Sequence, residues 1–256
     1  MLSEIKKIVE KYQPFLGENN FEFMKRVYET DAYIYESRLK SIGLNGKKKV
    51  LDAGCGFGQW SLILAQINKE VFSLDKQAER VILLNEIISE LKISNINVTK
   101  GILSHLPYEN NSFDAIFCYG AIFCTDWKKT LKEFSRVLEP GGTLYFNANE
   151  IGWYVNLWNS EPNKTNDYLP KEISAQSLLN TVNYHKHGIP PEKGQILITK
   201  EECIHELCKL GFMEPLILGE GKINISKDDV MPTVFFDETY DGLAGCYEVL
   251  VSKELS

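Results

Sequence analysis

The sequence is short of several things, and each shortage removes a class of function. No apolar run reaches the roughly 18 residues of a membrane-spanning helix, and the first ten residues, MLSEIKKIVE, lack the apolar core of a signal peptide. A chain with no membrane partner is expected, and a cytoplasmic location. There is no basic excess: 28 Lys and Arg stand against 35 Asp and Glu, a formal charge of −7. Nucleic-acid binding wants a basic face, so that partner is not expected either. The one basic run, KKK at 47–49, reads as the solvated entry to a strand. The six cysteines are scattered with no C-x-x-C pair, which fits reduced thiols better than disulfides or zinc. Histidine is scarce, at four, and no metal site is expected. No repeat and no low-complexity linker divides the chain. Lys, Asn and Ile are abundant, a composition of AT-rich bacterial genomes.

What is present is concentrated in VLDAGCGFG at 50–58. An apolar strand end is followed by Asp52, then by Gly54, Gly56 and Gly58, then by the helix-like stretch QWSLILAQ. Glycine permits positive φ and close backbone approach to a ligand. Strand, glycine turn and helix N-terminus together form a nucleotide-type site at the carboxyl end of a parallel sheet. Asp75 ends the next strand candidate, about twenty residues on, where an acid takes ribose hydroxyls. A helix N-cap is its plain alternative. The spacing is G-x-G-x-G rather than the dinucleotide G-x-G-x-x-G, and Asp52 would repel a diphosphate while suiting an ammonium group.

Apolar periodicity predicts helices over 1–45, broken at Pro14 and Gly17, with the second running 21–42. Leu2, Ile5, Val9 and Tyr12 share a face of the first. From Val50 short apolar runs alternate with amphipathic stretches, the pattern of βαβ units. Strands are predicted at 50–52, 71–74, 97–99, 115–118, 143–147, 213–218 and 247–251, with helices at 59–66, 77–91, 127–137 and 200–210. Residues 149–198 and 219–245 show no clean period. One domain over 1–256 is the economical reading, with 1–45 a helical cap and 149–198 an inserted lid.

Four segments in order resemble the class I S-adenosylmethionine-dependent methyltransferases: the glycine motif, LPYENNSFDAIF at 106–117, DWKKTLKEFSRVLEPGG at 126–142, and the closing helix and strands. The resemblance covers roughly 45–148 and 199–252. It implies an α/β, Rossmann-like, seven-stranded and mostly parallel sheet with a reversed last strand and helices on both faces. It also implies S-adenosyl-L-methionine as cofactor and S-adenosyl-L-homocysteine as product. Gly54, Cys55 and Gly56 would present backbone to the methionine part, with Asp52 holding the amino end indirectly. Asp75 would take the ribose, Ile102 and Leu103 would flank the adenine, and Tyr119 would line the methyl-donor side. Two positions depart from the pattern. Ile102 stands where many relatives have an Asp that contacts the adenine amino group, leaving Ser104 or a backbone carbonyl for that contact. Phe123 stands where many have a His, so no base comes from there.

Methyl transfer from a sulfonium needs alignment, exclusion of water and usually removal of a proton from the acceptor. The only imidazole cluster, YHKH at 184–187, makes His185 and His187 the catalytic candidates, with an ordinary solvated loop as the alternative. Tyr33 and Arg38 in the N-terminal helix are within reach of the cofactor carboxylate, but the solvent surface is the expected place for either one. The expected function is methyl transfer to a small-molecule acceptor, at oxygen first and nitrogen second. The alternatives are a nicotinamide oxidoreductase, which the glycine spacing disfavours, and a catalytically silent cofactor-binding partner protein. Oligomeric state is open.

Overall fold

The computed structural model describes residues 2–227 and 230–255, with side chains from Ile5 onward. Its centre is a seven-stranded sheet built from β1 (Lys49–Ala53), β2 (Glu70–Asp75), β3 (Ile96–Lys100), β4 (Phe113–Cys118), β5 (Leu138–Asn149), β6 (Leu216–Gly219) and β9 (Cys246–Ser252). The spatial order is β3-β2-β1-β4-β5-β9-β6. The first five strands are parallel, and β9 runs antiparallel to both β5 and β6. The reversed last strand is therefore present and lies inside the sheet, not at its rim. β7 (Thr239–Tyr240) and β8 (Leu243–Ala244) form a separate small hairpin.

Helices α4 (Gln59–Ile67), α5 (Ala78–Glu90), α6 (Trp127–Val137) and α9 (Lys200–Lys209) connect the strands, as the apolar period indicated. The sheet separates two cores. One gathers Leu51, Ile116, Leu131, Phe134 and Val249; the other Val50, Trp60, Leu83, Phe117 and Tyr145. Because the strands are covered on both faces, β1 is buried continuously from Val50 to Ala53 and not in alternation, Asp52 included.

Two expectations need correction. The stretch 21–42 is two helices, α2 (Glu18–Glu29) and α3 (Ala32–Ser41). Asp31 separates them by accepting a hydrogen bond from the Tyr33 N–H, an N-cap that starts a new helix. α1 (Leu2–Tyr12) buries Ile5, Ile8 and Val9, whereas the side chain of Leu2 lies outside the described part.

The aperiodic 149–198 is also helical, as α7 (Ile151–Ser160) and α8 (Pro170–His187). α8 buries Ser174, Ser177 and Asn180 at helical spacing and exposes Leu178, Leu179 and Val182. Its inner face is held by hydrogen bonds: Ser174 donates to the Tyr154 carbonyl, Asn180 to the Lys193 carbonyl, and Ser177 accepts from the Gln195 N–H. A polar buried face gives no hydrophobic period to read. No helix among the described residues is long and apolar enough to cross a membrane.

Candidate cofactor cleft and acceptor chamber

At the carboxyl end of β1 the chain turns through Gly54, Gly56 and Gly58, at φ +81°, +57° and +87°. The Gly54 and Cys55 N–H groups both donate to the Leu74 carbonyl, at 2.8 and 3.0 Å. A Cβ on Gly54 would stand 2.5 Å from that of Ala121, and one on Gly58 2.2 Å from Leu84 Cδ1. Those two glycines are required by packing. A Cβ on Gly56 would meet nothing nearer than Arg80 Nη1 at 4.0 Å, so the space above it is open.

Asp75 leaves the end of β2 with its carboxylate pinned from below, accepting from the Gly56 N–H at 3.0 Å and the Gln77 N–H at 2.8 Å. Arg80 stands 3.7 Å away with its guanidinium over the Phe57 ring. Asp75, Gly101, Ile102, Leu103, Ser104 and Asp126 line a cleft of about 600 Å³. Ile102 is 53% exposed there, an apolar face for a flat ring to cover, while Leu103 is buried beneath it.

Asp52 is not in that cleft. It lies behind the turn, 1% exposed, accepting from Ser61 Oγ at 2.6 Å, and Ser61 in turn accepts from Ser73. Burial pushes its carboxyl up to about 7, against the Ser61 hydrogen bond and with a contribution from the Asp75 charge. A cation lodged near the turn would favour its ionised form. Two buried polar atoms beside the turn lack partners, Gln59 Oε1 and Arg80 Nε. An acceptor and a donor so placed fit the ammonium and carboxylate of an amino-acid ligand.

A second cavity, about 320 Å³, opens from the same turn. Gly54, Cys55 and Gly56 form one side, and Trp60, Tyr119, Phe123 and Phe235 supply rings. The Trp60 and Tyr119 centroids are 5.1 Å apart, and Phe235 stands 6.2 Å from each. Its polar lining includes the Arg80 guanidinium and the carboxamides of Asn147, which accepts from the Gly120 N–H at 2.7 Å, and Asn149, which donates to Gln195 Oε1 at 3.3 Å. Trp153 donates to the same Gln195 oxygen. Burial, then the nearby Glu220 charge, holds the Tyr119 phenol well above its ordinary pKa, so it is a neutral hydroxyl.

The structure thus brings Gly54, Cys55, Gly56, Asp75, Ile102, Leu103 and Tyr119 around two connected spaces. It does not bring the histidines there. His185 and His187 are exposed at the end of α8, and His185 Nε2 lies 3.3 Å from Glu202 on α9. Tyr184 of the same cluster points inward and donates to Asp126 at 2.7 Å, which turns its two neighbours outward. Arg38 also departs from expectation: it is fully buried, not solvent-facing, whereas Tyr33 is exposed as expected. Sequence reasoning missed Arg80, Trp60, Asn147, Asn149 and Gln195. Asn147 and Asn149, polar residues alternating at the end of a buried strand, were the one available signal.

Residues 51–146 match the family described as Methyltransferase domain. A demethylmenaquinone methyltransferase of Geobacillus sp. (strain WCH70) is 29% identical over 113 residues, 43% of this chain and 48% of that protein. One from Listeria monocytogenes serotype 4a (strain HCC23) is 28% identical over 147 residues, 55% of this chain and 60% of that protein. The chain therefore spans about half the length of the curated relatives it matches. Among solved structures, geranyl diphosphate methyltransferase in complex with S-adenosylmethionine shares the fold at TM-score 0.61 and 16% identity, covering 93% of this chain and 92% of that one. A Thermotoga maritima protein described as an S-adenosylmethionine-dependent methyltransferase, possible histamine N-methyltransferase, does so at 0.56 and 18%, covering 97% and 99%. Residues 51–146 thus match a methyltransferase domain, and the chain as a whole shares the fold of solved S-adenosylmethionine-dependent methyltransferases.

Proposed function

We propose that the chain transfers a methyl group from S-adenosylmethionine to a small, planar, uncharged acceptor seated in the aromatic chamber, at an electron-rich ring carbon. One observation carries this reading: the chamber opens directly on the Gly54 to Gly56 turn and, among the described residues, offers rings and carboxamides, with Arg80 at the cofactor side, but no carboxylate, imidazole or lysine amine. The cofactor, when bound, supplies an electrophilic methyl on a sulfonium.

The chain's own residues divide the remaining work. The glycine turn lets backbone lie against the methionine part, Gln59 and Arg80 take its charged end, and Asp75 takes the ribose hydroxyls. Ile102 packs on the adenine in place of a polar contact. Trp60, Tyr119 and Phe235 hold a flat acceptor by its faces and exclude water, while Asn147, Asn149 and Gln195 orient its oxygen substituents. Rate then comes from alignment in a dry site more than from proton abstraction. An aromatic diol suits this, because its hydroxyls make the ring carbons nucleophilic: the C–CH3 bond forms as the S–CH3 bond breaks, and the ring proton leaves to solvent water to restore aromaticity. The relatives' name points the same way, since demethylmenaquinone is methylated on its ring. Oxygen remains the second reading, favoured by carboxamides able to hold a phenolic hydroxyl.

The test is incubation with S-adenosylmethionine and 1,4-naphthoquinol, with product identified by mass and by NMR. A new C-methyl supports the proposal and an O-methyl supports the second reading. No transfer to this or to any simple phenol, with S-adenosylmethionine bound, overturns both.

A further inference from the structure

We propose that Glu220 is a positioning residue that builds the acceptor chamber, its buried carboxylate fixing one wall from two distant parts of the chain. This rests on the reading of that cavity as the acceptor site.

After β6 the described residues 220–227 and 230–236 form a strap without helix or strand, which places Phe235 and Phe236 in the chamber wall. Such a segment has no ladder to hold it; backbone bonds fix its start, with Glu220 N–H donating to the Cys246 carbonyl and Ile225 N–H to the Ser41 carbonyl, and side-chain contacts fix its return. Glu220 is fully buried. Its Oε2 accepts from the Phe235 N–H at 2.8 Å and the Phe236 N–H at 3.1 Å. Its Oε1 accepts from Tyr119 at 2.8 Å and from Arg38 Nη2 at 2.6 Å. One carboxylate therefore sets three chamber-lining residues, two from the strap and one from the end of β4.

Arg38 completes the arrangement from α3. Its Nη1 donates to Glu248 at 2.5 Å, Nη2 donates to the Thr233 carbonyl, and its guanidinium lies 5.6 Å from the Phe235 ring. Both acids and the arginine have fully buried side chains. Burial opposes the arginine charge, but Tyr145, Glu220 and Glu248 around it outweigh that and raise its pKa. Both oxygens of Glu220 are occupied by its four donors, so its contribution is geometric and not proton transfer. The proton of Tyr119 is committed to Glu220, leaving only oxygen lone pairs for a ligand. The chamber thus offers an acceptor's hydroxyl a hydrogen-bond acceptor at Tyr119, and its width depends on where the strap is pinned.

Glu220→Gln keeps the size but turns one oxygen into a donor that must face either two backbone N–H groups or Arg38 and Tyr119. Three readouts separate positioning from simple stability: calorimetric affinity for S-adenosylhomocysteine, hydrogen exchange of 231–237, and kcat and KM with 1,4-naphthoquinol. The expected result is S-adenosylhomocysteine affinity within about twofold of the parent, strap exchange about tenfold faster, and acceptor KM raised about tenfold. Unchanged exchange and KM would overturn the proposal, as would a parallel loss of cofactor affinity, which marks general loosening. If the parent binds S-adenosylhomocysteine yet does not methylate the quinol, the acceptor reading fails and exchange alone decides on Glu220. Should Glu220→Gln not fold, Arg38→Lys takes its place with the same readouts, because a lysine keeps the charge but cannot fork to both acids and Thr233.

Discussion

Replacing Gly56 by alanine separates the ligand-binding use of the glycine turn from its use in folding. Gly54 and Gly56 both sit at positive φ, where a Cβ costs about 1 to 2 kcal/mol. They differ in what the Cβ meets. At Gly54 it would be 2.5 Å from the Ala121 Cβ, a methyl fixed to backbone, which adds about 1 to 3 kcal/mol of overpacking. At Gly56 it projects into open space, with only Arg80 at 4.0 Å. Urea unfolding should therefore show Gly54→Ala losing about 2 to 5 kcal/mol and Gly56→Ala only about 1 to 2. Calorimetric titration with S-adenosylhomocysteine should rank the second variant as severely impaired for its small loss of stability. A methyl in the space the cofactor enters costs it about 1 to 3 kcal/mol, or about 5- to 150-fold in affinity. Parent-like affinity in a folded Gly56→Ala protein would refute placing the methionine part against this turn.

Three more outcomes follow from the same geometry. His185→Ala and His187→Ala should each retain near-full turnover, since both side chains point away from the chamber; a loss of about a hundredfold in either would restore a base role. Asp52 bears on pH. Its carboxyl rises from the ordinary 3.8 to about 7 on folding, so the folded chain holds the proton harder, and that stabilisation is complete below the unfolded value and lost as pH rises through about 7. Asp52→Asn escapes the loss, so between pH 5 and pH 8 the stability difference should move in its favour by about 2 to 3 kcal/mol; a difference constant with pH contradicts a protonated Asp52. Arg38→Met leaves two buried carboxylates without their cation and should cost about 3 to 5 kcal/mol in urea unfolding, whereas a loss below about 1 kcal/mol would show that water reaches the cluster.

Local chemistry was legible in the sequence and distant chemistry was not. The β1 strand, the glycine turn and Asp75 declare themselves because strand ends, glycines and acids recur at fixed offsets within one βαβ unit. The alternation of strands and helices up to β5 declares itself through apolar period. α8 fails that test because the residues it buries are Ser174, Ser177 and Asn180, satisfied by hydrogen bonds, while Leu179 and Val182 face out. The position of the histidines was equally hidden: composition singled them out, but Tyr184 bonding to Asp126 goes with a helix end that leaves both exposed. The strap 220–236 could not be read at all. Its order comes from Arg38 meeting Glu220 and Glu248 across 182 and 210 positions, and no window of sequence contains both ends of those contacts. Ring residues of the chamber were scattered in the same way, with Trp60, Tyr119 and Phe235 on three unconnected elements.

The central claim is that the space bounded by Gly54, Asp75 and Ile102 holds S-adenosylmethionine. Calorimetric titration of the parent and of Asp75→Asn with S-adenosylhomocysteine and with NAD tests it directly. The account requires micromolar binding of S-adenosylhomocysteine to the parent, weakening by about tenfold or more in Asp75→Asn as one ribose contact is lost, and no binding of NAD. Binding of NAD without S-adenosylhomocysteine, or an Asp75→Asn affinity equal to the parent's, would contradict it.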